Sequence, residues 1–225
     1  MKYVIISDAH GNRIFFDIVM KEIDNLDPER IIFLGDAFGY MRDGLYILEE
    51  LKKRNAVILK GNHEAMLNGE IRIDDEKDVL YGLKEQSKTI DVYTGEILRQ
   101  LPEEVEIELR HKKALCIHGA PYDHVCGYLY ENNVNYAWKE ERYDYVFMGH
   151  THRPYIKKTE QTIFVNVGSI GMPRDTGLAP SYVLFDEEIG EPELIRVKIL
   201  EEVLNSDYYS GLDQRIMDVF RRKQS

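Results

Sequence analysis

The chain has 225 residues, 44% apolar and 31% charged, with a formal net charge of −11. That is the profile of a soluble globular chain with one buried core, not of a disordered one. The acidity argues against a broad face that grips nucleic acid, because Lys and Arg contacts to phosphates dominate such binding. The cysteines, Cys116 and Cys126, lack the number for a disulfide framework and the spacing for a structural zinc site, which fits a reducing compartment. No stretch approaches the roughly 20 apolar residues that span a bilayer, and Met1 runs straight into a charged, strand-like start, so the expectation is a cytoplasmic protein with no membrane partner.

In chain order, residues 2–7 form a Val/Ile-rich run that predicts a buried strand. Ile14, Ile18, Val19, Ile23 and Leu26 follow at helical spacing. A strand at 30–34, a helix at 45–53 and a strand at 56–59 complete a β-α-β-α-β unit, which implies parallel strands with right-handed crossovers. Residues 65–101 turn polar and helical around Asp74-Asp75-Glu76 and are the candidate for a helical insert. Strands resume at 105–109, 114–118, 145–149, 155–158, 162–166, 181–186 and 194–199. Tight turns such as Thr159-Glu160-Gln161 predict antiparallel hairpins among them. From residue 200 the pattern is helical. No repeat or linker divides the chain, so residues 1–225 read as a single mixed α/β domain.

Five clusters share one layout, an apolar strand followed by a tight turn and a metal-competent side chain. They are Asp8-Ala9-His10-Gly11-Asn12, Gly35-Asp36, Gly61-Asn62-His63-Glu64, His118-Gly119 and Gly149-His150-Thr151-His152. Such residues emerge at strand ends, where ligands gather in open α/β sheets. Taken singly, each has a plain explanation: an N-cap for the Asp8 turn, a turn for Gly-Asp, a structural histidine for His118. His150 and His152, two apart in an extended segment, can reach one centre or two adjacent ones. Taken together, four His, two Asp and one Asn directly after apolar runs have no packing explanation, because buried polar groups destabilise unless something partners them. His63 reads as a ligand, a structural residue or a proton donor. His111 lies in a charged turn, and His124 is near His118 in sequence.

These motifs resemble the calcineurin-like metallophosphoesterase superfamily, whose series runs D-x-H, G-D, G-N-H-E/D, H-G and G-H-x-H. Every element is present in that order between Asp8 and His152, and Asn166-Val167-Gly168-Ser169 resembles the N-x-G-S segment of the small prokaryotic phosphodiesterase branch. The resemblance implies a four-layer α/β/β/α sandwich of two mixed β-sheets flanked by helices. It also implies two divalent metal ions, one held by Asp8, His10, Asp36 and His152, the other by Asp36, Asn62, His118 and His150, with Asp36 bridging. Imidazole and carboxylate ligands without thiolate suit manganese first, with Fe, Ni, Co and Zn as alternatives. The mechanism implied is attack on phosphorus by a hydroxide shared between the metals, with Asn62 also bonding the phosphate and His63 protonating the leaving alkoxide.

The Ser/Thr protein phosphatases and symmetrical dinucleoside tetraphosphate hydrolases of that superfamily carry G-D-x-x-D-R-G, whereas here Gly35-Asp36 runs on through Ala37, Phe38, Gly39, Tyr40 and Met41 to Arg42. Lack of that fixed guanidinium fork favours a diester, which carries less charge. Arg13 and Arg174 are the candidate substrate contacts. The expected partner is a small phosphate ester, with a nucleotide as one option because of the tyrosine-rich stretch 121–145, itself explicable as aromatic packing. The rival readings are a phosphomonoesterase or protein phosphatase, and a non-catalytic interaction module on the same fold. Ile216, Val219 and Phe220 near the C-terminus can pack on the chain's own core or on a second copy, which keeps a homo-oligomer open.

Overall fold

The computed structural model describes residues 1–109, 112–134 and 143–223. The chain opens with β1 (Lys2–Ile6), α1 (Arg13–Asp24), β2 (Arg30–Phe33), α2 (Gly44–Lys53) and β3 (Val57–Ile58). β2 runs parallel to both β1 and β3, as the β-α-β-α-β pattern predicts. Next come α3 (Asn62–Leu67), α4 (Asp75–Tyr81), α5 (Leu83–Ser87) and α6 (Val92–Gln100). The strands β4 (Glu104–Leu109), β5 (Lys112–Ile117), β6 (Tyr145–Met148), β7 (Tyr155–Lys158), β8 (Ile163–Asn166), β9 (Ser181–Asp186) and β10 (Pro192–Arg196) follow, and α7 (Gln214–Phe220) ends the described helices.

Two mixed five-stranded sheets result, ordered β10-β9-β1-β2-β3 and β4-β5-β6-β8-β7. The two-residue period of each strand decides the layering, since successive side chains point to opposite faces. Tyr3 and Ile5 of β1 meet Cys116, Tyr145, Phe147, Val165 and Phe185 in a core between the sheets. Val4 and Ile6 point the other way, onto Phe15, Phe16, Val19 and Ile47 of α1 and α2. On the second sheet, Leu115, Ile117, Val146 and Met148 face a third cluster with Leu129, Val134 and Tyr155. The parallel strands β1, β2 and β3 in one sheet, and β5, β6 and β8 in the other, therefore lie back to back.

Residues 65–101 hold α4 to α6. Asp74 caps α4 by accepting from the backbone N–H groups of Glu76 and Lys77, as short acidic side chains do at helix starts. Gly82 ends α4 with φ +61°, and Leu83 and Leu98 anchor the segment by burying in the α1/α2 core.

Two elements differ from the sequence reading. β10 is Pro192–Arg196, not 194–199. Beyond Arg196 the chain stays tied down, with Val197 N–H donating to Pro180 O and Ile199 N–H to Leu178 O, but Pro180 has no N–H to return the bond and complete a ladder. The stretch after residue 200 is two 3₁₀ turns, Glu201–Asn205 and Asp207–Tyr209, before α7 begins at its Asp213 cap. The apolar face of α7 packs on the chain's own core: Phe220 is buried, its ring 5.2 Å from Phe15 and 5.7 Å from Tyr209. Among the described residues, no helix is long and apolar enough to cross a membrane.

Candidate metal centre

The polar clusters follow the C-terminal ends of parallel strands: Asp8 and His10 after β1, Asp36 after β2, Asn62 and His63 after β3, His118 after β5, His150 and His152 after β6. Backbone bonds knit their loops together. Asp8 N–H donates to Gly35 O, His10 N–H to Asp36 O, and Gly149 N–H to His118 O. Asp8, His10, Asp36, His150 and His152 all have φ between +49° and +63°, a region non-glycine residues seldom occupy and one that marks strained, functional turns. Such crowding needs glycine beside it. A Cβ on Gly61 would sit 2.2 Å from Asp36 Oδ1, and one on Gly149 would sit 2.6 Å from Asp8 Oδ2.

The seven ligand residues expected from the sequence come together, all buried. His10 Nε2 and His152 Nε2 face each other at 3.0 Å, with Asp8 Oδ1 at 3.2 Å from the latter and 3.6 Å from the former. The outer nitrogens settle the tautomers. Nδ1 of His10 contacts Phe38 O and Nδ1 of His152 contacts Met172 O, and a carbonyl can only accept, so each Nδ1 carries the hydrogen. Both inner Nε2 atoms then present lone pairs to one another and to an ionised carboxylate, and Asp8 Oδ1 has no hydrogen-bond partner among the described residues. This donor set repels itself without a cation and fits one well.

A second nest lies alongside. His118 Nε2 is 3.1 Å from Asn62 Oδ1 and 3.1 Å from His150 Nδ1. Asp36 Oδ2 connects the two, 3.5 Å from His118 Nε2 and 3.8 Å from His10 Nε2. Its other oxygen, Oδ1, accepts from the His63 backbone N–H. Three groups, Asp8/His10/His152, His10/Asp36/His63 and Asp36/His118/His150, have the geometry to hold a metal ion.

Burial works against charge on both aspartates, but the surrounding imidazoles outweigh it and hold Asp8 and Asp36 well below the usual carboxylate range. Burial pushes His63 and His150 down to about 3 and His152 to about 4, with Arg174 adding to the effect on His152. His118 goes the other way. Burial opposes its charge, yet Asp36 and Asp8 raise it to about 9.

Several residues brace the cluster in ways the motifs alone do not state. Glu64, within the G-N-H-E run, accepts from the backbone N–H groups of Asp36, Ala37 and Gly61 at 2.8, 2.8 and 2.9 Å, locking the Asp36 turn to the start of α3. Ser169 Oγ donates to Asp8 O and accepts from Met172 N–H, and Asn166 Nδ2 donates to Gly149 O. The Asn166–Ser169 run thus braces both the Asp8 and His150 turns. Tyr40 sets its ring edge-on to His10 at 4.8 Å and stacked on His63 at 5.6 Å.

The remaining residues singled out in the sequence divide. Arg174 reaches the rim, donating from Nη2 to Tyr40 Oη at 2.9 Å. Arg13 does not join the cluster; its guanidinium lies over the Tyr46 ring at 4.1 Å and beside Asp17. His124 does not join the cluster; its Nδ1 is 2.7 Å from a Glu104 carboxylate oxygen. His111, Tyr136 and Trp138 lie outside the described residues. Of the tyrosine-rich stretch, Tyr128 packs its ring 4.0 Å from that of His150 while staying partly exposed, with Tyr130 roughly parallel at 6.3 Å.

Comparison with known proteins agrees with this geometry. A protein of Methanocaldococcus jannaschii with no assigned function is 26% identical over 94% of this chain and 96% of its own. A metallophosphoesterase from Sphaerobacter thermophilus superposes with a TM-score of 0.78 at 20% identity, covering 98% of this chain and 99% of that one. A hypothetical protein of Pyrococcus horikoshii superposes with a TM-score of 0.82 at 16% identity, covering 100% and 99%. The sequence profile of the calcineurin-like phosphoesterase superfamily domain matches residues 1–190, and with the strand-end cluster of Asp, His and Asn residues inside that span, the chain belongs to the calcineurin-like phosphoesterase superfamily.

Proposed function

We propose that this chain is a phosphodiesterase that works with two divalent metal ions, manganese first among the candidates. Asp8, His10, Asp36 and His152 would hold one ion, and Asp36, Asn62, His118 and His150 the other. The observation that carries the reading is the position of a single atom, Asp36 Oδ2, within 3.8 Å of the ligand nitrogen of both nests. When bound, such ions neutralise phosphoryl oxygens and acidify a water nucleophile.

The chain's own residues supply the rest. The amide of Asn62 offers a hydrogen bond to a phosphoryl oxygen. Arg174, at the rim beside Tyr40 and His152, brings one guanidinium toward the ester anion. One rim guanidinium, in place of the fixed Asp-Arg-Gly arginine of the Ser/Thr protein phosphatases, suits the single charge of a diester. His63 donates from Nδ1 to Phe38 O, so Nε2 is the atom turned to the cluster, 3.8 Å from Asp36 Oδ2. We assign it delivery of a proton to the leaving oxygen. Burial holds it neutral in the free protein, so the arriving ester anion must raise its pKa before it can donate.

The test is hydrolysis of bis-(p-nitrophenyl) phosphate and p-nitrophenyl phosphate by metal-stripped protein, with Mn, Fe, Ni, Co and Zn restored singly. The expected result is metal-dependent turnover favouring the diester and lost in His10→Ala. Preference for the monoester, or no turnover by folded protein that binds metal, overturns the reading. His63→Ala should slow diesters with alkyl leaving groups about 10²–10⁴-fold, and nitrophenyl esters far less. Equal losses on both would remove His63 from the proton-donor role.

A further inference from the structure

A cavity of about 250 Å³ lies beside the metal centre, between the α4–α5 corner and the loop that precedes α7. Gly82 and Gln86 line one side, Tyr208 and Leu212 the other, and Tyr40 and Arg42 join them. Its size is below the roughly 300–1,000 Å³ of whole-ligand pockets, which suits one part of a substrate. The Tyr208–Leu212 wall lies beyond the residues 1–190 that match the superfamily profile.

Tyr40 belongs to both places, since its ring also packs on His10 and His63. Its backbone is held at φ +61°. Eight described non-glycine residues have positive φ: five are the ligand residues, two are Asp27 and Asn55, whose types tolerate that region, and the other is Tyr40. A bulky aromatic residue there is strained, and such strain persists where the surroundings enforce it, commonly at binding sites. The Tyr40 N–H donates to Tyr81 O and its hydroxyl accepts from Arg174, so the ring is fixed from both ends.

Arg42 supplies the cavity's free charge. Its exposed guanidinium lies 5.2 Å from the centroid of Tyr208 and makes no ion pair among the described residues. The carboxylate of Glu85, which also lines the cavity, is paired with Lys88, and Asp43 lies against the Tyr208 hydroxyl. The Tyr208 ring is held in place by donation from its hydroxyl to Gly11 O at 2.6 Å.

Resting on the diesterase reading, we propose that this cavity takes the leaving alcohol of the substrate, and that this alcohol bears a ring and an anionic substituent. The proton donor His63 stacks under Tyr40, so the leaving oxygen departs on this side. The ring packs against Tyr40 and Tyr208, and the anion meets Arg42, whose planar donors match a carboxylate or phosphate.

The experiment compares two methyl aryl phosphates whose leaving phenols carry a meta carboxylate or a meta carboxamide. The carboxylate ester should have the higher kcat/KM by about tenfold, the effect of one charge-assisted hydrogen bond. Arg42→Ala should bring the ratio close to one, and Arg42→Lys should keep part of it. A ratio near one in the wild type, or one that Arg42→Ala leaves in place, overturns the proposal. Turnover of neither ester defeats the diesterase reading instead, and the cavity is then judged by saturation-transfer NMR on the metal-free protein. There, 3-hydroxybenzoate should bind the wild type in preference to 3-hydroxybenzamide, and Arg42→Ala should abolish the preference; equal binding by the wild type overturns the proposal.

Discussion

His10 and His152 each hang from a backbone carbonyl through Nδ1, while His118 Nδ1 and His150 Nε2, the outer nitrogens of the second nest, make no hydrogen bond among the described residues. The two halves of the metal centre are thus built differently. In the first, the outer hydrogen bonds fix ring orientation and tautomer before any ion arrives. In the second, packing does that work, as where Tyr128 lies against His150. Outer hydrogen bonds of this kind are worth about 10–100-fold in metal affinity. On the proposed two-ion reading, the first half should be the preorganised, tighter site and the second the more exchangeable one.

Asp36 is common to both halves, so its loss is the largest effect expected. Asp36→Ala should abolish binding of both ions and lower kcat/KM on the order of 10³-fold or more, the several kcal/mol that metal ions contribute to phosphoryl transfer. Metal content by mass spectrometry beside kinetics checks this. Retention of one tightly bound ion would break the idea of a shared carboxylate.

The asymmetry itself is read by titrating the metal-loaded protein with a chelator. Release should come in two steps separated by about 10–100-fold in affinity. His150→Ala should remove the weaker step and leave the tighter one. A single step, or loss of the tighter step in that variant, would reverse the ranking of the two halves.

The smallest effect is on protons. In the metal-free protein His118 is raised to about 9 and is charged at neutral pH, whereas His152, at about 4, is already neutral. An ion must displace the His118 proton to gain its lone pair, so raising the pH helps binding. Affinity of the second half should rise about tenfold per pH unit between roughly 6.5 and 8, with no such contribution from His152. Calorimetry in buffers of different ionisation enthalpy should register one proton released on filling that half. No proton release would mean that His118 is neutral before the ion binds.

Much of this protein is legible in one dimension. The β-α-β-α-β start could be read because apolar runs of Val and Ile alternate with helical spacing, and the convergence of the seven candidate ligand residues could be read because each follows such a run. The resemblance in motif order supplied the grouping into two nests. The length of β10 could not be read, because its end depends on Pro180, a distant residue that cannot return a hydrogen bond to Val197. Nor could the break-up of the 200–220 stretch, where tertiary contacts of Tyr208 and Tyr209 with Gly11 and Asn12 override helical spacing.

By itself the sequence determined which chemistry is available: His, Asp and Asn at strand ends, no thiolate pair, and the order of motifs that marks the superfamily. Only the tertiary structure decided how that chemistry is held. Glu64 gathering three backbone donors, Ser169 bracing the Asp8 turn, the Phe38 and Met172 carbonyls fixing two imidazoles, and Tyr40 wedged between metal centre and cavity all depend on partners far away in the chain. The physical reason is that a ligand's type is a property of one residue, whereas its orientation is set by hydrogen bonds and packing that exist only once the two sheets have closed on each other.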